Sequence, residues 1–211
     1  MAARPVRIGV RSGDEIRRDL TTGLAEVLAE KGYAGATIAE IVAHARVSKR
    51  TFYEHFADKE ECLMALYSDA SAQLMNVLRS GGRPDRPWRE QVEVIVTAYL
   101  ALLDAVPAVS RIVLVEMQAA GARAYRLRQR SQLRVAETLV EVVEAGRPAN
   151  PEVAPLTPQL AIALVGGLNE LLLQVVDPYR GLGPDSGRPE SFMALRDSIV
   201  RLVSAVLTYR G

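Results

Sequence analysis

A short segment in the first third of the chain combines positive charge, a phenol and two phenylalanines. Because Phe52 and Phe56 are four residues apart, a helix places both on its inward face, and Lys49, Arg50 and Tyr53 then lie on the outward face. Such outward side chains can donate hydrogen bonds to phosphates and to base edges. A short helix with this surface fits the major groove of DNA, which is about 12 Å wide. The spacing therefore predicts a helix that reads nucleic acid.

Residues suited to catalysis or metal binding are sparse. The chain has 1 Cys and 2 His, fewer than a structural zinc site needs unless carboxylates complete it. No nucleophile–base pair and no phosphate-binding glycine loop is recognisable in the sequence. We therefore predict no catalytic residue, no metal and no cofactor. Cys62 is predicted to be a core residue, and a single cysteine is typical of a reducing compartment, so a cytoplasmic location is expected.

The overall charge excludes a uniformly basic nucleic-acid coat. Lys+Arg 26 and Asp+Glu 25 give a net charge of +1 over 211 residues, and hydrophobic residues at 49% supply an ample core. Positive charge is local instead, because Arg4, Arg7 and Arg11 form a basic N-terminal arm. The apolar stretch at 94–103 is shorter than the ~18 residues that a bilayer span needs, so we predict no membrane span.

Helices must position these residues. Prolines and glycines separate windows with the 3.6-residue period of a helix, and alternating runs bounded by hairpin turns are absent from the sequence. Ser12 with Glu15, Thr37 with Glu40, and Ser48 are predicted helix caps. The fold class is therefore all-α, with a compact three-helix unit at 1–57 and a larger bundle at 58–211. About nine helices are predicted, at 14–31, 38–45, 49–55, 59–79, 87–105, 107–121, 123–145, 158–177 and 190–209.

The stretch from residue 14 to about 67 resembles the N-terminal signature of the TetR family (tetracycline-repressor-like) of transcriptional regulators. The resemblance implies that 1–57 is a helix-turn-helix DNA-binding domain with a basic arm, and that 58–211 is a ligand-binding and dimerisation domain. We then expect a homodimeric repressor that a small, largely hydrophobic effector releases from a palindromic double-stranded DNA operator. The matching residues are Gly32-Tyr33, Thr37-Ile38-Ala39-Glu40-Ile41, Val47-Ser48-Lys49-Arg50-Thr51-Phe52-Tyr53-Glu54-His55-Phe56 and Asp58-Lys59-Glu60.

The resemblance also assigns DNA contacts residue by residue. Thr37 is expected to contact a phosphate from the start of the second helix, where helix dipole and amides favour an anion. Family sequences usually have glycine at the position of Arg46; an arginine there costs on the order of 1 kcal/mol if the turn is left-handed, or adds a phosphate contact. The predicted DNA-binding residues are Thr37, Arg46, Ser48, Lys49, Arg50, Thr51, Tyr53, His55 and Lys59.

The effector site and the dimer interface are expected in the bundle. An apolar pocket suits a hydrophobic effector, and Glu116 would favour a cationic one, although each pocket residue could equally be core or a structural hydrogen bond. Glycines inside a helix indicate a close helix–helix approach, within the chain or, as the resemblance implies, between subunits. The predicted pocket residues are Tyr99, Leu103, Glu116, Met117, Asn169 and Leu172, and the predicted interface residues are Leu164, Gly166, Gly167, Leu168, Leu171, Ile199, Leu202, Val203 and Val206.

Other interpretations remain open on the sequence. A helical ligand-binding or interaction protein without operator binding would keep the bundle, and a helical-bundle enzyme would depend on the pocket alone. The densest basic run, Arg123, Arg126, Arg128, Arg130 and Arg134, could form a second nucleic-acid surface. The alternative that we favour is a solvated or salt-bridged stripe, because 123, 126, 130 and 134 share one helix face.

Overall fold

The computed structural model of the chain describes residues 11–81, 86–177 and 190–209. Every regular element within these ranges is helical, which confirms the all-α prediction. If the unbroken helical run at 107–119 counts as one helix, the described residues form nine helices, as expected. The elements are α1 (Gly13–Gly35), α2 (Ile38–Ala45), α3 (Lys49–His55), α4 (Lys59–Gly81), α5 (Trp88–Ala105), α6 (Pro107–Arg111), a π-helical turn (Ile112–Glu116), α7 (Met117–Ala119), α8 (Ala122–Gly146), a 3₁₀ turn (Arg147–Ala149), α9 (Pro158–Val176), a second 3₁₀ turn (Phe192–Leu195) and α10 (Arg196–Thr208).

The predicted caps form and explain where the first helices begin. Ser12 and Thr37 each build a capping box with the glutamate three residues later. Ser48 Oγ accepts a hydrogen bond of 3.0 Å from the Thr51 amide. As a result α2 and α3 begin and end at the residues that the sequence predicted.

α1 is longer than predicted and kinked. Gly32 was expected to end it, but the helix resumes and continues to Gly35 across a break where Gly32 has φ 67°. A Cβ atom at Gly32 would lie 3.5 Å from Glu116 Oε1, in addition to the strain of a positive φ. Gly32 therefore breaks the helix where the sequence predicted its end, and one further helical turn to Gly35 follows it.

The first hydrophobic core joins α1, α2 and α3 to the bundle. Leu24, Phe52 and Phe56 are buried at its centre, and Ile112 and Met117 from the 107–119 run pack into the same cluster. Cys62 is buried there as predicted, and burial raises the pKa of its thiol to about 12. Because this core continues past residue 57, a domain boundary at that residue stays a prediction.

The second core fills the bundle formed by α4, α5, α8, α9 and α10. Trp88, Leu100, Leu172 and Phe192 are among its buried members. Asp104 at the end of α5 accepts hydrogen bonds from the amides of Phe192 (2.9 Å) and Met193 (3.0 Å). The last helix is thereby fastened to α5 where it begins.

α9 is also long and apolar enough to cross a membrane by length and composition. Its apolar window has a mean hydropathy of 1.6, and 33% of that window is buried inside the fold. α5 with Pro107–Glu116 passes the same test only as a pair bent by 102°. The sequence-based expectation of no span considered only 94–103 and overlooked α9, whose polar residues Asn169 and Glu170 do not lower the average enough.

The structure describes the basic run on α8 completely and the predicted N-terminal arm only in part. Of the predicted N-terminal arm, Arg4 and Arg7 lie outside the described residues. In the basic run on α8, Arg123 pairs with Asp58 at 2.8 Å and with Glu60 at 3.5 Å, which fits a salt-bridged stripe. The pairing also raises the pKa of the Arg123 guanidinium beside Asp58.

Candidate DNA interface and ligand cavity

The turn between α2 and α3 is tight and left-handed. Arg46 has φ 53° and ψ 48°, the conformation for which family members usually supply glycine. The amides of Arg46 and Val47 donate to the carbonyl oxygens of Ala43 (3.2 Å) and Val42 (3.0 Å), which closes the end of α2. The turn therefore requires a residue with a left-handed backbone, and Arg46 adopts that conformation.

α3 presents its polar side chains outward over an aromatic underside. Phe52 and Phe56 are buried with ring centroids 5.7 Å apart, and the Tyr53 side chain is 58% exposed. The Arg50 side chain is 90% exposed and pairs with Glu54 one turn later, at 3.1 Å. Lys49 lies on the same exposed surface. This is the arrangement that the i, i+4 phenylalanines predicted.

Two arginines, Arg11 just before α1 and Arg17 within it, hold the turn and α3 in place. Arg11 donates to the Arg46 carbonyl oxygen at 2.9 Å and to the Ala45 carbonyl oxygen at 3.2 Å. Arg17 donates to the His55 carbonyl oxygen at 3.2 Å, and its guanidinium lies 4.3 Å from the centre of the Phe56 ring. The sequence analysis missed these contacts, because arginines in an amphipathic helix give no signal of their partners.

The N-terminus of α2 already contains a carboxylate. Glu40 Oε2 accepts from the Thr37 amide (3.1 Å) and hydroxyl (2.8 Å), and Glu40 also pairs with Lys31. The Lys31 ammonium and the Thr37 hydrogen bonds lower the pKa of Glu40 to about 2. Thr37 is exposed beside this group, and its phosphate contact stays a prediction.

Lys59 is placed differently from the other predicted DNA-binding residues. Its ammonium donates to the carbonyl oxygens of Tyr33 (2.6 Å) and Ala36 (2.7 Å) and lies 4.3 Å from the centre of the Tyr33 ring. Burial lowers the pKa of Lys59. This ammonium closes the end of α1, whose carbonyl groups lack partners in the helix, and the contact of Lys59 with a DNA strand stays a prediction.

The bundle encloses an apolar cavity of about 350 Å³, within the range of small-molecule sites. Four predicted pocket residues line it, namely Tyr99, Leu103, Asn169 and Leu172. Burial raises the pKa of the Tyr99 phenol, so this residue stays neutral at physiological pH. The surrounding lining is mainly Leu, Val and Ile from α4, α5, α8, α9 and α10. The structure thus provides the hydrophobic cavity that the resemblance implied.

Glu116 and Met117 do not line this cavity, which corrects their assignment. Met117 is fully buried in the first core. Glu116 Oε2 accepts a 3.0 Å hydrogen bond from the Tyr33 amide at the α1 kink, and Oε1 lies 3.4 Å from Arg111. Both residues were assigned from the helices that line the family's pocket, and here their side chains lie in the first core and at the α1 kink instead.

The same π-helical turn contacts both cores. Leu114 is buried in the second core and lines the cavity, whereas Ile112 is buried in the first core. A second junction lies nearby, where Glu60 Oε1 accepts from the Ala124 amide at 3.1 Å. Cavity, bundle and helix-turn-helix unit are therefore joined by short, hydrogen-bonded contacts.

Residues 20–66 match the family described as bacterial regulatory proteins, tetR family. This segment contains the complete helix-turn-helix just described. This end of the chain matches the TetR family. The family match ends within α4, so it covers the DNA-reading unit and only the first lining residue of the cavity, Leu66.

Curated relatives match part of the chain, and solved structures share its fold. The chain is 32% identical over 94 residues to YxbF of Bacillus subtilis, an uncharacterised HTH-type transcriptional regulator, covering 44% of this chain and 25% of that protein. It is 30% identical over 91 residues to the activator FasR of Mycolicibacterium smegmatis, covering 43% and 42% of the two chains. FadR of Bacillus subtilis, solved with stearoyl-CoA, has the same fold at 18% identity, with a TM-score of 0.72 over 90% of this chain and 98% of that one.

The matched part of the chain spans less than half the length of these curated TetR relatives. The relatives are transcriptional regulators, and repressors such as AcnR of Corynebacterium glutamicum occur among them beside the activator. The sequence similarity therefore covers part of this chain, and for the rest the likeness is one of fold.

The residues predicted for a dimer interface divide into three groups. Leu164, Leu168, Ile199 and Val203 line the cavity, and Leu164 and Ile199 are buried within the chain, while their place in an interface stays a prediction. Leu171 and Val206 are partly buried against cores of the same chain. Gly166, Gly167 and Leu202 are exposed, and a Cβ atom at either glycine would meet nothing within 4 Å. Leu160 and Ile162, which the sequence analysis missed, extend this outward surface of α9.

Proposed function

We propose that this protein is a DNA-binding transcriptional regulator, a repressor whose operator affinity falls when a small, largely apolar effector fills the cavity. The observation that carries the proposal is the outward face of α3, where Arg50 and Tyr53 are exposed above buried Phe52 and Phe56. A protein of this kind acts where bacterial DNA is, in the cytoplasm. Its proposed work is binding, without catalysis.

Geometry supports DNA reading by α3. The helix is short, its base is rigid, and its exposed side chains include two cations and one phenol. In helix-turn-helix proteins the second helix enters the major groove with its first residues toward the bases. Lys49, Arg50 and Thr51 occupy those first positions, whereas Tyr53 and His55 follow toward the phosphates.

The cavity supports an effector with an alkyl chain. Its lining offers many apolar contacts and few polar ones, which is typical of sites for hydrophobic small molecules. FadR, a neighbour in fold, was solved with stearoyl-CoA, a ligand that carries such a chain. An effector that binds one arrangement of the π-helical turn better than another would shift the population of DNA-reading geometries.

A homodimer completes the proposal. The exposed surface of α9 combines Leu160, Ile162 and the Gly166-Gly167 pair, and Leu202 of α10 is also exposed. Packing against a second copy would cover this apolar surface, and two-fold symmetry would place two α3 helices in major grooves about 34 Å apart. The expected operator is therefore palindromic.

The test is selection of bound fragments from genomic DNA, followed by gel-shift titration at fixed salt. We expect Arg50→Ala and Tyr53→Ala each to weaken operator binding about tenfold or more, with the mass in solution unchanged. Arg126→Ala, which removes an exposed arginine of α8, is the control and should bind as wild type. Wild-type affinity in both α3 variants would overturn DNA reading by α3.

A second arm of this experiment addresses the effector. Dodecanoate or dodecanoyl-CoA is added to the preformed complex, and release of the operator is followed. Release supports repression relieved by an apolar ligand, whereas tighter binding would make the ligand a corepressor. If neither compound changes operator affinity while DNA binding is specific, the proposed effector class is wrong and DNA reading stands.

A further inference from the structure

Arg128 is an unusual member of the cavity lining. The lining residues are mostly aliphatic, and Arg128 on α8 and the exposed Asp69 on α4 are its two charged members among the residues described. Arg128 was grouped with the basic run in the sequence, yet it falls outside the stripe that 123, 126, 130 and 134 share. That offset turns its guanidinium toward the cavity.

Polar side chains surround Arg128. We call Ser71, Arg128, Ser131 and Gln132 the polar rim; Ser131 Oγ lies 3.1 Å from Ser71 Oγ and joins α8 to α4, and Arg128 Nη1 lies 3.5 Å from Gln132 Oε1. All four residues line the cavity. Since residues three and four apart share a helix face, Ser131 and Gln132 lie beside Arg128. The rim thus offers hydroxyl and guanidinium donors at one place in an apolar lining.

The charge of Arg128 is not balanced by a carboxylate. Arg123, Arg147 and Arg196 each have a carboxylate oxygen within 3.0 Å. Among the residues that the structure describes, Arg128 has none within ion-pairing distance, although its side chain is half-buried. A partly desolvated, unpaired cation is costly and favours an anionic partner.

We propose that the polar rim binds the carboxylate head of a singly charged amphiphile whose alkyl tail occupies the cavity. The inference rests on the proposed function only in taking the cavity as the effector site. A guanidinium binds a carboxylate with two parallel hydrogen bonds, and the Ser71 hydroxyl, which accepts from Ser131, adds a donor. One arginine with Asp69 in the same lining suits one negative charge; a head with several phosphates would require further cations.

Ligand binding can be measured without DNA. Trp88, the only tryptophan of the chain, lines the cavity, so its fluorescence reports occupancy. We expect wild type to bind dodecanoate more tightly than dodecanol or dodecyltrimethylammonium. Arg128→Gln should lower dodecanoate affinity about tenfold or more and leave dodecanol affinity within about twofold. Retained dodecanol binding also shows that the variant keeps its cavity.

Arg126→Gln is the matched control, because Arg126 is exposed on the same helix and does not line the cavity. It should bind dodecanoate as wild type does. Equal losses for dodecanoate and dodecanol in Arg128→Gln, an unchanged dodecanoate affinity, or dodecanoyl-CoA binding that exceeds dodecanoate and is insensitive to Arg128 would each overturn the proposal. So would a cavity that binds none of these probes. All of these results leave the gel-shift test of DNA reading unaffected.

Discussion

At the scale of single residues, Arg46 combines a left-handed backbone with an exposed cationic side chain. We predict that Arg46→Gly is more stable than Arg46→Ala by about 1 kcal/mol, because only glycine adopts this φ without strain. Denaturant unfolding of the two variants measures the difference. Because both variants lack the guanidinium, the difference in their stability reports the backbone strain and not the loss of a side-chain contact. Equal stabilities would show that this turn stores no strain.

Single residues also mark what the sequence could and could not predict. The caps at Ser12, Thr37 and Ser48 act within one turn, so type and spacing were sufficient to identify them. The carbonyl partners of Lys59, Tyr33 and Ala36, were not predicted because they lie more than twenty residues earlier in the chain. Local sequence patterns identify contacts within one helical turn, whereas contacts between distant residues depend on tertiary packing.

At the scale of elements, the π-helical turn is where the helix-turn-helix unit meets the bundle. We predict that Glu116→Ala destabilises the protein by about 1–3 kcal/mol, since the Tyr33 amide loses its acceptor in a half-buried place. Amide hydrogen exchange of Tyr33 and thermal unfolding report the loss. Glu116→Gln retains an acceptor oxygen and should lose less.

The control for this prediction is Glu144→Ala, which removes an exposed partner of Arg147. Exposed ion pairs contribute about 0–1 kcal/mol, so the control should change stability little. If both alanine variants behave alike, the Glu116 contact is no more than a surface interaction.

The cavity was predicted only in part, because its residues were assigned from the helices that line the pocket in the family that the sequence resembles. Tyr99, Leu103, Asn169 and Leu172 line the cavity as expected. Glu116 is the last residue of the π-helical turn and Met117 follows it, and both face the first core or the α1 kink instead. Nothing in the local sequence 112–116 predicts a π-helical turn, so the sequence could not assign these side chains to one core or the other.

At the scale of the whole molecule, the open space beside Gly166 makes the dimer testable. We predict that Gly166→Arg turns a dimer into a monomer, measured by light scattering. Arginine forms helix more readily than glycine, and a Cβ atom at this position meets nothing within 4 Å, so the subunit stays folded. Ala72→Arg, on the exposed face of α4, is the control and should leave the mass unchanged. A Gly166→Arg protein with wild-type mass would place the interface elsewhere.

The residues that line the cavity are synthesised one after another over most of the length of the chain. Its lining begins at Leu66 and ends at Leu207, and α10 is held by Asp104 and by the 2.8 Å bond from the Ala154 amide to the Leu207 carbonyl oxygen. During synthesis the first core can assemble once residues up to about 127 have emerged from the ribosome. The cavity stays open on one side until the last helix arrives. A nascent chain therefore exposes the lining of its cavity to the cell before that cavity can enclose a ligand.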